Sequence, residues 1–110
     1  MEKETEQKIV QLQMIEQNMQ NYLMQKQNFQ GQLLEVENAL KELETAKGKA
    51  YKIVGNVMVA ADNAKLKKEL NGKKDLLDLR IKSVSKQESA LKEKAESLQK
   101  SLMEELKPKK

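Results

Sequence analysis

The sequence predicts a mainly α protein: a long antiparallel two-helix coiled coil with a β-hairpin at its centre. Three observations lead there. Aromatic residues make up only 3% of the 110-residue chain and charged residues 35%, a balance that suits long helices and cannot fill a round core. Apolar residues recur every seven positions in both halves of the chain. Between the halves, YKIVGNVMVA (Tyr51–Ala60) is rich in β-branched residues and breaks on Gly-Asn.

The first helix is expected over about residues 4–46. Leu12, Met19, Lys26, Leu33 and Leu40 form one row, and Ile15, Tyr22, Phe29, Val36 and Leu43 the other. Their spacing alternates between three and four, as the a and d positions of a heptad do. Glu2, Glu4 and Glu6 suit the positive end of a helix dipole, and Thr5 is one candidate N-cap. Gly48 between Lys47 and Lys49 reads as a C-terminal stop.

The hairpin is expected at 50–61. Gly-Asn between Val54 and Val57 is a two-residue hairpin signal, with Gly55 supplying a positive φ. That turn places Ile53 beside Met58 and Tyr51 beside Ala60 on one face, and Lys52, Val54, Val57 and Val59 on the other. Both faces are mostly apolar. A lone two-stranded hairpin is marginal in water, and open apolar edges invite further pairing. Other subunits are therefore expected to cover it, through Tyr51, Ile53, Val54, Gly55, Val57, Met58 and Val59, closing an intersubunit sheet or β-barrel. The plainer alternative is an ordinary connecting loop, which would need only a few polar residues.

The second helix is expected over about residues 64–106, capped by Asp62 or Asn63, with a basic tail at 107–110 after the stop at Pro108. Its rows are Leu70, Leu77, Val84, Leu91 and Leu98, then Lys74, Ile81, Glu88, Ala95 and Leu102. Two equal arms of roughly 60–65 Å suggest a fold-back. Pairing Leu12 with Leu98, Met19 with Leu91, Phe29 with Ile81, Leu33 with Leu77 and Leu40 with Leu70 makes each pair's residue numbers total 110. The two heptads are thus in register for one intramolecular seam, and the whole of 1–110 reads as a single domain. In this register Lys26 faces Val84, Glu88 faces Tyr22 and Lys74 faces Val36. Such polar seam residues fix register or limit oligomer state. Gly31 and Gly72 fall inside the helices but off the seam.

Below Leu12 the next seam positions are Lys8 and Thr5, so the ends of the coil are expected to fray. Ile9, Val10 and Met14, with Met103 and Leu106, are apolar residues that the seam does not use. They are candidate contacts for a partner, since burial of apolar surface is non-directional and methionine adapts to irregular surfaces. The alternative is that they pack against a neighbouring subunit's arm.

The chain has no cysteine and no histidine, which removes disulfides, most zinc sites and the usual nucleophile–base pairs. No glycine-rich phosphate loop or triad is present, so no enzyme activity and no cofactor are expected. The charged start MEKETEQK has no signal-peptide character, and no run approaches the ~20 apolar residues of a membrane span. A cytoplasmic protein without a membrane partner is expected. Residues 1–50 carry six Lys and eight Glu, whereas 64–110 carry 14 Lys or Arg and eight Asp or Glu. This asymmetry is read as a basic arm attracting an acidic one. Nucleic acid is not expected as a partner, because no aromatics are interleaved with the lysines to stack bases.

The stretches QKQNFQGQLLEVENALKELE, YKIVGNVMVA and SKQESALKEK, in a helix–hairpin–helix of equal arms, resemble a prefoldin subunit of the β class, which has one hairpin. The hairpin carries most of the resemblance, and nearly the whole chain is covered. The resemblance implies an ATP-independent co-chaperone, or holdase. It implies a hexamer of two α-type and four β-type subunits, assembled through a barrel of hairpins. It implies coil ends that hold unfolded client proteins and deliver them to a group II chaperonin. The rival reading is a scaffolding coiled coil that self-assembles through its hairpin.

Overall fold

The computed structural model describes residues 2–45 and 50–107. The elements are α1 (Lys3–Thr45), β1 (Ala50–Val54), β2 (Val57–Ala61) and α2 (Asn63–Leu106). The expected stops at Lys47–Lys49 and Pro108 lie outside the described residues.

Helix ends follow local chemistry. At the start of α1 the Glu6 N–H donates to the Glu2 carbonyl at 3.1 Å. Thr5 therefore lies inside the helix and is not its N-cap, a correction to the sequence expectation. Asp62 does cap α2: its Oδ1 accepts from the Ala64 N–H at 3.1 Å and its carbonyl accepts from Leu66 at 2.9 Å, satisfying donors that the first turn leaves free. Asn63 has another task. Its Nδ2 donates at 3.4 Å to the carbonyl of Leu43, one of the last four in α1 that have no helical partner.

The chain divides into two compact units, Met1–Gln27 with Lys82–Lys110, and Asn28–Ile81. In each, a stretch of α1 runs antiparallel to a stretch of α2. In the first unit, Leu12, Ile15 and Met19 line a groove with Ala95 and Gln99. Ile15, Val84 and Leu102 are buried. In the second, Leu43, Ala50 and Leu77 are buried, and the Arg80 guanidinium lies 5.7 Å from the centre of the Phe29 ring, a cation–π distance.

All twenty positions of the four sequence rows are buried or half-buried, Lys26, Lys74 and Glu88 among them. The polar pairing differs from the expected one. Lys26 does not simply lie across from Val84, nor Glu88 from Tyr22; Lys26 Nζ and Glu88 Oε1 stand 3.3 Å apart as an ion pair. Its angles do not make a hydrogen bond at that oxygen, so the attraction is Coulombic. Long side chains reach diagonally along a seam, which a strict layer-by-layer pairing overlooks.

The hairpin has the expected register: Tyr51 with Ala60, Lys52 with Val59, Ile53 with Met58, and Val54 with Val57. Gly55 has φ of 62°, the left-handed conformation that side chains disfavour and primed hairpin turns require.

Candidate functional site

Two surfaces stand out from the helix seam. The first is the hairpin. Its root is packed, with Ala50 buried and Ala61 half-buried. Beyond the root the side chains have no cover: Tyr51, Ile53, Val54, Val57, Met58 and Val59 are 46% to 68% exposed. The strand alternation sends Tyr51, Ile53 and Met58 to one face and Val54, Val57 and Val59 to the other. Two faces and two outer edges are thus open on a sheet of only two strands. A polar contact ties the hairpin to α2: Lys52 Nζ donates to Glu69 Oε1 at 2.8 Å. That bond and the lysine's charge hold the Glu69 carboxyl below its ordinary pKa. Six apolar side chains in this state need a partner surface, because isolated hairpins are marginal and open edges template further pairing.

The second surface lies in the first unit, on the terminal segments of both helices. Val10 and Met14 on α1, and Met103 and Leu106 on α2, are 52% to 68% exposed. Ile9 does not share this exposure and is half-buried, because it borders the seam at Lys8. Nor are the ends frayed as the irregular pattern suggested. The helices run from Lys3 and to Leu106, Thr5 is only 4% exposed, and Leu102 is buried. The Thr5 hydroxyl donates to Glu105 Oε2 at 2.8 Å. Lys8 Nζ donates to Ser101 Oγ at 2.8 Å and pairs with Glu105 Oε1. Bonds from Lys8 and then Thr5 hold the Glu105 carboxyl below its ordinary pKa. The heptad therefore continues to the termini in polar residues. Thr5 and Glu105 even keep the total of 110 that the apolar pairs follow.

Further exposed apolar residues lie along the helices at Leu23, Met24, Leu34, Leu76 and Leu79. The sequence signal for them was present, since each is apolar and off the heptad rows, but they are scattered among polar residues. Among the described residues no cluster of acidic side chains is placed to hold a metal ion. No helix among them is long and apolar enough to cross a membrane.

The fold has close parallels. A family model described as prefoldin subunit matches residues 6–109. The prefoldin subunit beta of Saccharolobus islandicus strain L.S.2.15 is 35% identical over 105 residues, spanning 94% of this chain and 83% of its own. That of Methanothrix thermoacetophila is 38% identical over 100 residues, covering 89% of this chain and 83% of its own. The crystal structure of the prefoldin beta subunit from Thermococcus strain KS-1 superposes with a TM-score of 0.92 at 30% identity, over 98% of this chain and 96% of that one. Matching sequence along nearly its whole length, and matching the helix–hairpin–helix order, this chain belongs to the prefoldin family of co-chaperone subunits.

Proposed function

We propose that this chain is a β-type subunit of a hetero-hexamer with two α-type and four β-type members, in the cytoplasm, and that it acts as an ATP-independent holdase. In this reading the hairpin is the assembly element. Its strands add edge to edge to those of neighbouring subunits, which removes the open edges and buries both faces. The terminal segments then take up unfolded client proteins and hand them to a group II chaperonin.

The observation that carries the client half of the reading is the exposure of Val10, Met14, Met103 and Leu106 on one unit whose seam is already closed. The helix pair does not need these side chains for itself. Apolar surface of this kind binds without regard to sequence, and methionine's three flexible torsions let it fit irregular chains. Each contact is weak, but several subunits presenting the same surface act together through effective concentration.

The test is aggregation suppression by the assembled protein. Changing Val10→Ser, Met14→Gln, Met103→Gln and Leu106→Gln together should leave the solution mass intact and reduce suppression of a denatured client severalfold. An intact assembly with undiminished suppression would sink the client assignment. Ile9→Ser is expected to add little, because that side chain is half-buried.

A further inference from the structure

The hairpin is joined to α2 through Asp62, the single residue between β2 and α2. The capping bonds from Ala64 and Leu66 hold the helix side of that joint. The strand side keeps its soft backbone torsion, so the joint fixes where the hairpin starts but not where it points. A second contact comes from the other strand. Lys52, opposite Val59 on β1, reaches Glu69 Oε1 at 2.8 Å. Glu69 stands seven positions, about 10 Å, along α2 from the joint. A joint on β2 and a contact from β1 further along the helix form a triangle, which resists both swing and twist of the hairpin. Lys52 is the one charged residue from Ala50 to Ala61, and its face otherwise carries Val54, Val57 and Val59. A charge on a face that must be covered is costly unless a countercharge comes with it. The Lys52 and Glu69 side chains are 44% and 45% exposed, so the pair adds little to the stability of the chain. A pair this weak still selects a direction, and strand edges join through hydrogen bonds that weaken steeply outside a narrow range of angles.

We propose that the Lys52–Glu69 pair is a brace: it sets the direction of the hairpin on α2, and so presents the strand edges at the angle that hairpins of further copies and of α-type subunits can join. Lys52 and Glu69 are positioning residues in this role, and the strands do the joining. The brace itself rests on contacts within one unit. Its consequence for assembly rests on the function proposed above, and the experiment separates the two.

The brace is read on the full chain before it meets any partner, by residual dipolar couplings of the backbone amides in 50–61 and 63–81. In the parent, one alignment should fit both segments. In Lys52→Met and in Glu69→Gln, the couplings of 50–61 should shrink by about half or more relative to those of 63–81, as the hairpin averages over directions. Unchanged couplings overturn the brace. Assembly is read by competition: equal amounts of parent and variant chain are mixed with a limiting amount of an α-type prefoldin subunit, and the isolated assembly is analysed by mass spectrometry. Each single variant should be under-represented about two- to fivefold per position. The exchange Lys52→Glu with Glu69→Lys should restore both the couplings and equal incorporation. Depletion of Glu69→Gln while Lys52→Met competes evenly overturns the assembly role, because Glu69 would then only neutralise a covered charge. An exchange variant that stays depleted overturns it too, since Lys52 would then serve a neighbouring subunit directly. Loosened hairpins that compete evenly overturn the consequence for assembly and leave the brace itself standing. A parent chain that enters no assembly refutes the proposed function, and the couplings alone then decide the brace.

Discussion

In the hairpin every large apolar side chain from Tyr51 to Val59 is at least 46% exposed, whereas Thr5, a polar residue at the start of α1, is 4% exposed. The usual sorting by polarity is inverted at both places, for different reasons. In β1 and β2 the inward-facing backbone groups pair with the partner strand, but the outer edges stay open and a two-stranded sheet has no second layer within the chain to cover its faces. Around Thr5 the helices themselves supply partners, so burial follows the availability of a hydrogen bond. Exposed apolar surface on the hairpin therefore reflects the lack of a covering layer within the chain. Buried polar surface marks a partner already present.

The largest effect should come from denying the hairpin its outside partner. Val57→Lys with Val59→Lys puts two charges beside Lys52 on one face of the sheet. Assembly with α-type prefoldin subunits should be lost outright, read as solution mass by light scattering, because a desolvated unpaired charge is costly. Helix content by circular dichroism should stay near the parent's, since these side chains lie on the exposed hairpin and outside both helices. An assembly of unchanged mass would break the contrast drawn above.

Next in size is the seam. Leu77→Ala removes one of the few buried leucines and should cost about 2–4 kcal/mol, seen as a lower melting temperature. The same change at Leu79, which is 65% exposed, should cost about 0.5 kcal/mol or less. Gly55→Val acts through the backbone alone. No atom stands within 4 Å of an added Cβ there, but φ is positive, so the cost should be about 1–2 kcal/mol, confined to the hairpin. Glu88→Gln leaves Lys26 without its countercharge at a partly exposed site, for about 1 kcal/mol or less.

How much of this could be read beforehand depended on whether the signal was periodic. The two heptads, their common register and the hairpin pairing all repeat at short fixed spacings, and the structure has them where the residues imply. Even Lys26, Lys74 and Glu88 are at least half-buried on their rows, because a helix cannot turn one residue away without turning its neighbours. The terminal layer was missed because the same test asks only whether a position is apolar. Lys8 and Thr5 fail that test, so the coil looked frayed. Their partners Ser101 and Glu105 lie more than 90 residues away in sequence, and nothing local announces the match. Ile9 was misjudged for the same reason: if the seam stopped at Leu12, its side chain would be free. The Lys26–Glu88 pair needed side-chain reach as well as position.

The smallest expected effect compares two carboxylates, one at each surface. Glu105 is held below its ordinary pKa by bonds from Lys8 and Thr5, and Glu69 chiefly by Lys52, with Lys73 adding to it. Depressed carboxylate values have one sign: the native state holds the proton less tightly than the unfolded chain does. Their stabilisation is thus complete above the ordinary glutamate value of about 4.3 and fades as the pH falls through the lower native values. Between neutrality and that point neither contact should change. A carboxyl-carbon NMR titration should show both residues titrating below the ordinary glutamate value. Lys52→Met should return Glu69 towards the ordinary value and leave Glu105 where it was. Movement of both would mean that the hairpin contact and the terminal layer respond as one. Movement of Glu69 alone would mean that each surface is tuned by its own lysine, so a change of pH or a charge substitution at one can be read without disturbing the other.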